Sequence, residues 1–134
     1  MPQLANLFTT VQRGLSAQMV RMNAAASNLA NAGSVAGSEA EAYRPLRPVF
    51  SEEFDRASGL ATVRVAGVFR SDAAPVKLHD PNHPLADPQG NVWQAPVDET
   101  AEMVEVMEAS RHYQNLLEAL QTAKHLMLET MRSR

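Results

Sequence analysis

The sequence predicts a mainly α fold in which long N- and C-terminal helices form a coiled-coil-like antiparallel pair, with a small β-rich, Pro-rich middle insert. Seven of the eight prolines lie between Pro45 and Pro96, and proline is excluded from helix interiors. Both proline-poor ends carry apolar residues at alternating spacings of three and four, the heptad pattern of helices that pack along a line. We therefore expect an N-terminal helical core segment at 1–34, a linker plus β-rich segment at 35–97, and a C-terminal helical core segment at 98–134.

Composition narrows the class of protein. A chain of 134 residues that is 45% hydrophobic and 20% charged has the material for one globular domain. The absence of cysteine excludes disulfides, a thiolate nucleophile and cysteine metal sites. A formal net charge of −3 gives no electrostatic case for nucleic acid. Because no apolar stretch approaches the about 20 residues of a membrane span, we expect no direct membrane insertion, and composition by itself predicts a cytosolic protein.

The N-terminal helix is predicted over residues 3–30. Its charges are sparse, since Arg13 and Arg21 are the only charged residues before position 39. A helix surface with so few charges predicts that the helix packs against other elements on more than one side. The alternative is a core helix in a compact bundle. The large apolar residues at heptad spacing form the first half of what we call the predicted seam: Leu4, Phe8, Val11, Leu15, Met22 and Leu29.

The C-terminal helix is predicted to begin after Asp98, a suitable N-cap that follows Pro96. Acidic residues cluster at its start and arginines at its end, an order that complements the helix dipole. Ser110 and Lys124 interrupt its heptad pattern. The second half of the predicted seam is Met103, Val106, Tyr113, Leu117, Leu120 and Met127. We expect the two halves of the seam to pack on each other within one subunit and between neighbouring subunits.

The middle of the chain changes period. Alternation of two over residues 60–70 predicts a strand, with Ser58 and Gly59 as a turn before it. Two short strands are predicted at 76–78 and 91–93. A sheet this small cannot form an independent domain, so we expect the helices or a neighbour to cover one of its faces.

The loop 79–87 is the one candidate for chemistry, because His79 and His83 lie there beside two aspartates. The alternative is a turn braced by proline, whose Asp and Asn side chains bind nearby backbone N–H groups. We favour the turn, since Pro81 and Pro84 exclude the helix that would place both imidazoles on one face. The chain has no nucleophile elbow and no glycine-rich phosphate loop. We therefore expect no catalytic, cofactor-binding or metal-binding residue, and no enzyme activity.

Five residues that close the N-terminal helix, Ser27, Asn28, Leu29, Ala30 and Asn31, resemble a motif of the axial proteins of the bacterial flagellum. Further features similar to the rod members of this family follow in the expected order over essentially the whole chain. They are Tyr43-Arg44, Arg47-Pro48-Val49-Phe50, Asp80-Pro81, His83-Pro84, Ala86-Asp87, Gly90 with Val92, Glu102-Met103-Val104, Ala109-Ser110-Arg111, Tyr113-Gln114, Thr122-Ala123-Lys124 and Met127-Leu128. The ordered set is much more specific than the first motif alone.

This resemblance implies a structural subunit of the flagellar basal-body rod, self-assembling helically with copies of itself and other rod proteins around the central export channel. It implies torque transmission across the periplasm, and export by the flagellar type III apparatus without a cleavable signal peptide. That location would replace the cytosolic one. It also implies that the protein has no cofactor and no small-molecule substrate. Another axial rod subunit of the same family, or a helical-hairpin adaptor or chaperone of the export apparatus, is the alternative.

Overall fold

A computed structural model of the protein describes residues 2–57 and 59–133, with side chains from residue 5 onward. Its two helices and five strands form an antiparallel helix pair, a two-stranded ribbon and a three-stranded antiparallel sheet. In chain order they are α1 (Pro2–Ala30), β1 (Val35–Ala36), β2 (Leu46–Asp55), β3 (Leu60–Arg70), β4 (Val76–His79), β5 (Asn91–Gln94) and α2 (Glu99–Arg132). The ribbon pairs β2 with β3, and the sheet has the order β1-β5-β4.

The bounds of both helices agree closely with those predicted from the sequence. Helix α1 has 29 residues and is about 44 Å long, and α2 has 34 residues. Asp98 caps α2, because its carboxylate accepts a hydrogen bond from the N–H of Ala101 at 3.2 Å. Glu99 and Glu102 in the first turn of α2, and Arg132 in the last, give the predicted match to the helix dipole.

The predicted fold class is wrong in the middle of the chain. The β-rich part is not a small insert beside a mainly α coiled coil, since it forms five strands in two antiparallel sheets. Strands β2 and β3 have 10 and 11 residues, so the ribbon is about 35 Å long and approaches the length of α1. The two helices do pair, but the molecule is a helix pair combined with two β structures.

Strand β2 escaped prediction because Pro48 lies inside it. Proline removes a ladder hydrogen bond and therefore argues against a central strand. In a two-stranded ribbon each strand has one unpaired edge, and a proline is tolerated there. The register also shifts between Val49 and Phe50, a bulge that weakens the alternation visible in the sequence. The predicted strands at 60–70, 76–78 and 91–93 correspond to β3, β4 and β5.

Small residues dominate the contact between the helices. The backbone of helix α2 lies close to α1 and, within the described residues, to no strand. Ala109 and Ala123 are buried in it, and Ala109 is 0% exposed. Gly14 of α1 faces Leu116, since a Cβ at position 14 would lie 3.0 Å from Leu116 Cδ1. The distance between two packed helices depends on the side chains at the contact, so small residues let these helices approach closely.

Enlarging this contact should destabilise the protein. We expect Ala109→Leu to lower the free energy of unfolding by about 1–3 kcal/mol, because the added side chain has no space between the helices. Ala119→Leu, on an exposed position of the same helix, should change it by less than about 0.5 kcal/mol. Urea unfolding followed by circular dichroism measures both variants. Equal stability of the two would contradict the close contact at Ala109.

Candidate functional site

The two charged residues of α1 tie that helix to the other elements. Arg21 Nε donates to Glu105 Oε1 of α2 at 2.6 Å, and its Nη1 donates to Gln18 Oε1 at 2.8 Å. Arg13 Nη1 donates to Thr62 Oγ1 of β3 at 2.9 Å. One arginine therefore fastens α1 to α2 and the other fastens it to the ribbon. Another side of α1 is exposed although it carries no charge, as at Gln12, Ser16 and Met19.

Asn28 forms the junction between the end of α1 and the start of the ribbon. Its side chain is 0% exposed. Its Nδ2 donates to the carbonyl of Leu46 at 3.0 Å, while its Oδ1 accepts from the N–H of Leu46 at 2.8 Å and from Tyr43 Oη at 2.7 Å. The amide thus pairs with both backbone groups of one residue, as a neighbouring strand would. This pairing fixes where β2 begins relative to α1.

The other residues of the family motif support this junction. Ser27 Oγ lies 2.9 Å from Tyr43 Oη, and Asn31 Nδ2 donates to the carbonyl of Ser27 at 2.9 Å, which closes the last turn of the helix. Leu29 is half-buried and Ala30 is exposed. The sequence identified the motif through its resemblance alone. A polar Asn within a stretch of alanines was the one local signal of a buried hydrogen-bonding role.

An ion pair joins the ribbon to α2. Arg47 Nη1 donates to Glu102 Oε1 at 2.5 Å, and Glu102 is only 3% exposed although it is charged. Glu102 Oε2 has no hydrogen-bond partner among the described residues. Both residues line a cleft of about 360 Å³ between α1, β2 and α2, together with Arg21, Asn28 and Phe50. Sequence reasoning missed Glu102, since an acidic residue in the first turn of a helix has a sufficient explanation in the helix dipole.

The first half of the predicted seam lies along α1 with mixed burial. Val11 is buried, and Phe8, Leu15, Met22 and Leu29 are half-buried. The side chain of Leu4 lies outside the described residues. Ala17 and Ala25, which are not among the large residues of the predicted seam, are more deeply buried than any of its described members, and Ala24 is buried to the same extent as Val11.

The second half of the predicted seam follows the side of the helix contact. Val106, Tyr113, Leu117, Leu120 and Met127 are half-buried, and Met103 is exposed. Among its described residues α2 buries Glu102, Ala109 and Ala123. Glu102 comes one residue before Met103 of the predicted seam, and the two alanines come one residue before Ser110 and Lys124, which interrupt the heptad pattern. Whether the seam contacts neighbouring subunits stays a prediction.

Because α2 turns these positions toward the interior, large apolar side chains remain at its surface. Met103, Val104 and Met107 are exposed near the start of the helix, and we call them, together with Glu99 and Thr100, the outer α2 surface. Met107 is 68% exposed. A second group of exposed apolar residues lies near the end of α2: Leu126, Leu128 and Met131.

The loop with His79 and His83 is held as a turn. Asp87 Oδ1 accepts from the N–H groups of Gln89 at 3.0 Å and Asn91 at 2.8 Å. His83 Nδ1 accepts from the N–H of Leu85 at 3.0 Å. Gly90 has a φ of +80°, and a Cβ there would lie 3.1 Å from His79 Cε1. Within residues 2–57 and 59–133, no three His, Asp or Glu side chains converge on a point where they could hold a metal ion.

Neither helix of the described chain is long and apolar enough to cross a membrane. The fold combines polar junctions between its elements with an exposed apolar surface on α2. A family model described as the C-terminal part of flagellar basal-body rod FlgEFG proteins matches residues 89–132, which include β5 and α2. The last third of the chain is thus similar to flagellar rod proteins.

Comparison with curated proteins identifies which family of flagellar rod proteins the chain resembles. The flagellar basal-body rod protein FlgC of Salmonella typhimurium is 45% identical over 130 residues, covering 96% of each chain. FlgC of Escherichia coli O157:H7 has the same identity and coverage, and FlgC of Buchnera aphidicola from Acyrthosiphon pisum is 33% identical over 96% of each chain. The chain belongs to the FlgC family of flagellar basal-body rod proteins. It is a structural rod subunit of the flagellar basal body, as the sequence resemblance implied.

The Asn28 junction predicts a specific loss of stability. Asn28→Ala removes three hydrogen bonds and leaves the half-buried backbone groups of Leu46 without the partner they have in the native chain, so we expect the free energy of unfolding to fall by about 1–3 kcal/mol. Asn23→Ala, at an exposed position of the same helix, is the matched control and should be nearly neutral. Thermal unfolding measures stability, and hydrogen exchange at the Leu46 amide should accelerate in the first variant only. Unchanged exchange at Leu46 would contradict the junction.

The Arg47–Glu102 pair predicts a non-additive double variant. Arg47→Met leaves a buried carboxylate without its donor, which should cost about 1–3 kcal/mol of folding free energy. Adding Glu102→Gln removes the buried charge and should recover part of that loss. Urea unfolding of both single variants and of the double variant gives the coupling. Strictly additive effects would show that the two side chains do not interact in solution.

Proposed function

We propose that the protein assembles helically with copies of itself and with other rod proteins, around the central export channel, and that it transmits torque across the periplasm. We further propose that the flagellar type III apparatus exports it without a cleavable signal peptide, and that it is not an enzyme and uses no cofactor. Membership of the FlgC family, whose characterised members are named basal-body rod proteins, supports this proposal. The fold adds an argument from its surface.

The observation that carries the proposal is the exposed apolar surface of α2. Because α2 buries Ala109 and Ala123 at its contact with α1, three of its methionines and two of its leucines are exposed: Met103, Met107, Met131, Leu126 and Leu128. Proteins that stay monomeric rarely expose contiguous apolar patches of large area, and such patches mark sites of protein contact. Methionine is flexible and polarisable, and it suits contacts with neighbours that differ slightly from one another. A rod built from several related proteins presents neighbours of this kind.

The junctions inside the subunit support a mechanical role. Arg21 links α1 to α2, Arg13 links α1 to the ribbon, and Arg47 links the ribbon to α2. These three connections close a loop between the three elements, so a force applied to one element reaches the other two directly. Under this proposal, the half-buried seam residues at the margin of the helix pair, including Leu117 and Leu120, contact both the partner helix and the neighbouring subunit.

An exposed apolar residue gives the sharpest test, since its substitution leaves the interior unchanged. We expect Met107→Asp to abolish incorporation into basal bodies and swimming motility, because it places a charge in a contact that excludes water. Its folding free energy should change by less than about 0.5 kcal/mol. Immunoblots of isolated basal bodies and swimming assays in cells that lack the native copy measure the effect.

Gln121→Asp is the matched control, since it introduces the same residue at an exposed polar position of the same helix. It should assemble and support swimming. Secretion of both variants into the medium should equal that of the native chain, which separates assembly from export. Normal motility of Met107→Asp would refute the role of this surface, and absence of the native chain from basal bodies would refute the proposed location.

A further inference from the structure

We infer that the base of the ribbon is a docking site for the outer α2 surface of a second copy of this chain, an acidic and apolar helix face. The inference rests on the proposed rod assembly and adds to it which two surfaces meet. The receiving site, which we call the basic hollow, is formed by Ala42, Tyr43, Arg44 and Arg70.

The basic hollow offers a guanidinium group to a carboxylate. It has a volume of about 250 Å³. The guanidinium of Arg70 lies 5.2 Å from the centre of the Tyr43 ring, and its Nη1 donates to the carbonyl of Arg44 at 2.8 Å. These contacts hold the guanidinium in place and leave most of its five N–H donors for another acceptor. Within the described part of the chain, neither Arg44 nor Arg70 forms an ion pair with an acidic side chain.

Exposed apolar side chains lie beside the basic hollow. Phe69, which precedes Arg70, is 57% exposed, and Val68 is exposed as well. Successive residues of a strand point to opposite faces, so both faces of the ribbon are uncovered here. A two-stranded sheet is marginal in water unless another element covers it. The ribbon base therefore combines two cations that lack an acidic partner in the described chain with an apolar surface that lacks a cover.

The outer α2 surface has the complementary character. Over residues 98–108 the chain carries five acidic residues and no basic one. Glu102, Glu105 and Glu108 pair with arginines of the same chain. Glu99 forms no ion pair within the described residues. Glu99 is exposed, and Met103 and Met107 follow it at intervals of four residues, which places the three on one side of the helix. In the docked arrangement the Glu99 carboxylate enters the basic hollow and binds Arg44 and Arg70. Met103 and Met107 then cover Val68, which lies on the same face of the ribbon as Arg70.

A second copy is the occupant because the complementary charge is present on the chain itself. Each copy carries one basic hollow and one outer α2 surface, so the contact can repeat from copy to copy. Opposite charges at a contact favour the correct partner and register, and like charges oppose it. Both surfaces also lie outside the α1–α2 contact, so docking needs no rearrangement of the helix pair.

Charge reversal with mixing tests the inference on the purified full-length chain. The first variant, Arg44→Glu with Arg70→Glu, makes the hollow acidic. The second, Glu99→Lys with Thr100→Lys, makes the helix face basic. Each variant alone should associate with itself at least about tenfold more weakly than the native chain in sedimentation velocity, because like charges then meet. An equimolar mixture should recover association, since the acidic hollow of one variant meets the basic helix of the other.

Loss of association in each variant with recovery in the mixture supports the inference. Failure of the mixture to recover overturns it, as does equal association of the native chain and both variants, or a native chain that stays monomeric. Circular dichroism spectra of the variants should match the native spectrum. The mixture itself also checks folding, because a misfolded variant cannot restore association in its partner.

Disulfide cross-linking in cells tests the same contact in the assembled rod. Because the native chain has no cysteine, the introduced cysteines are the only ones that it can contribute to a cross-link. Val68→Cys with Met103→Cys should give chain-to-chain cross-links on oxidation in isolated basal bodies, whereas Val68→Cys with Gln121→Cys should not. Incorporation into basal bodies without a cross-link overturns the inference and leaves the proposed function standing. A cross-link from position 68 to a protein of different mass also overturns it, because it assigns the site to another partner. Absence of the native chain from basal bodies defeats the proposed function itself.

Discussion

The close contact between α1 and α2 through small residues is the constraint on which the rest of the structure depends. Ala109 and Ala123 of α2, and Gly14 of α1, which faces Leu116, allow the helices to lie near each other. A helix has a limited circumference, so a contact made with alanine leaves the methionines and leucines elsewhere on it. The small residues that allow the helices to pack closely therefore also leave an apolar surface on the outside of the pair. In a rod subunit that surface has a use, because neighbouring subunits are available to cover it.

Polar junctions then set how the β structures lie against the helices. Asn28 pairs with both backbone groups of Leu46, and Arg13 reaches Thr62 further along the ribbon. Hydrogen bonds are directional, whereas apolar contacts are not, so these two points specify the position of the ribbon along α1. The Arg47–Glu102 pair adds a third connection, to α2. A buried charge is costly unless paired, which makes this connection sensitive to the loss of either partner.

The two assembly proposals share the outer α2 surface. Its exposed methionines suit contact with a neighbouring subunit, and the base of the ribbon offers cations and an uncovered sheet to that surface. Glu99 at the start of α2, and Arg44 and Arg70 at the ribbon base, form no ion pair within the described residues. Such complementary charges favour ordered contact between copies over random association, because placements that bring like charges together are opposed.

The sequence by itself determined both helices, the cap at Asp98, strand β3 and, through an ordered series of motifs, the family. These features depend on local periodicity and local capping, which a linear pattern records. It did not determine β2, because Pro48 obscured a strand that a two-stranded ribbon tolerates. It also did not determine which side of α2 faces α1. Successive residues are about 100° apart around the helix axis, and the apolar stripe is broad enough to include neighbouring positions. The roles of Asn28 and Glu102 were decided by tertiary structure alone, because their partners, Leu46 and Arg47, lie 18 and 55 residues away in the chain.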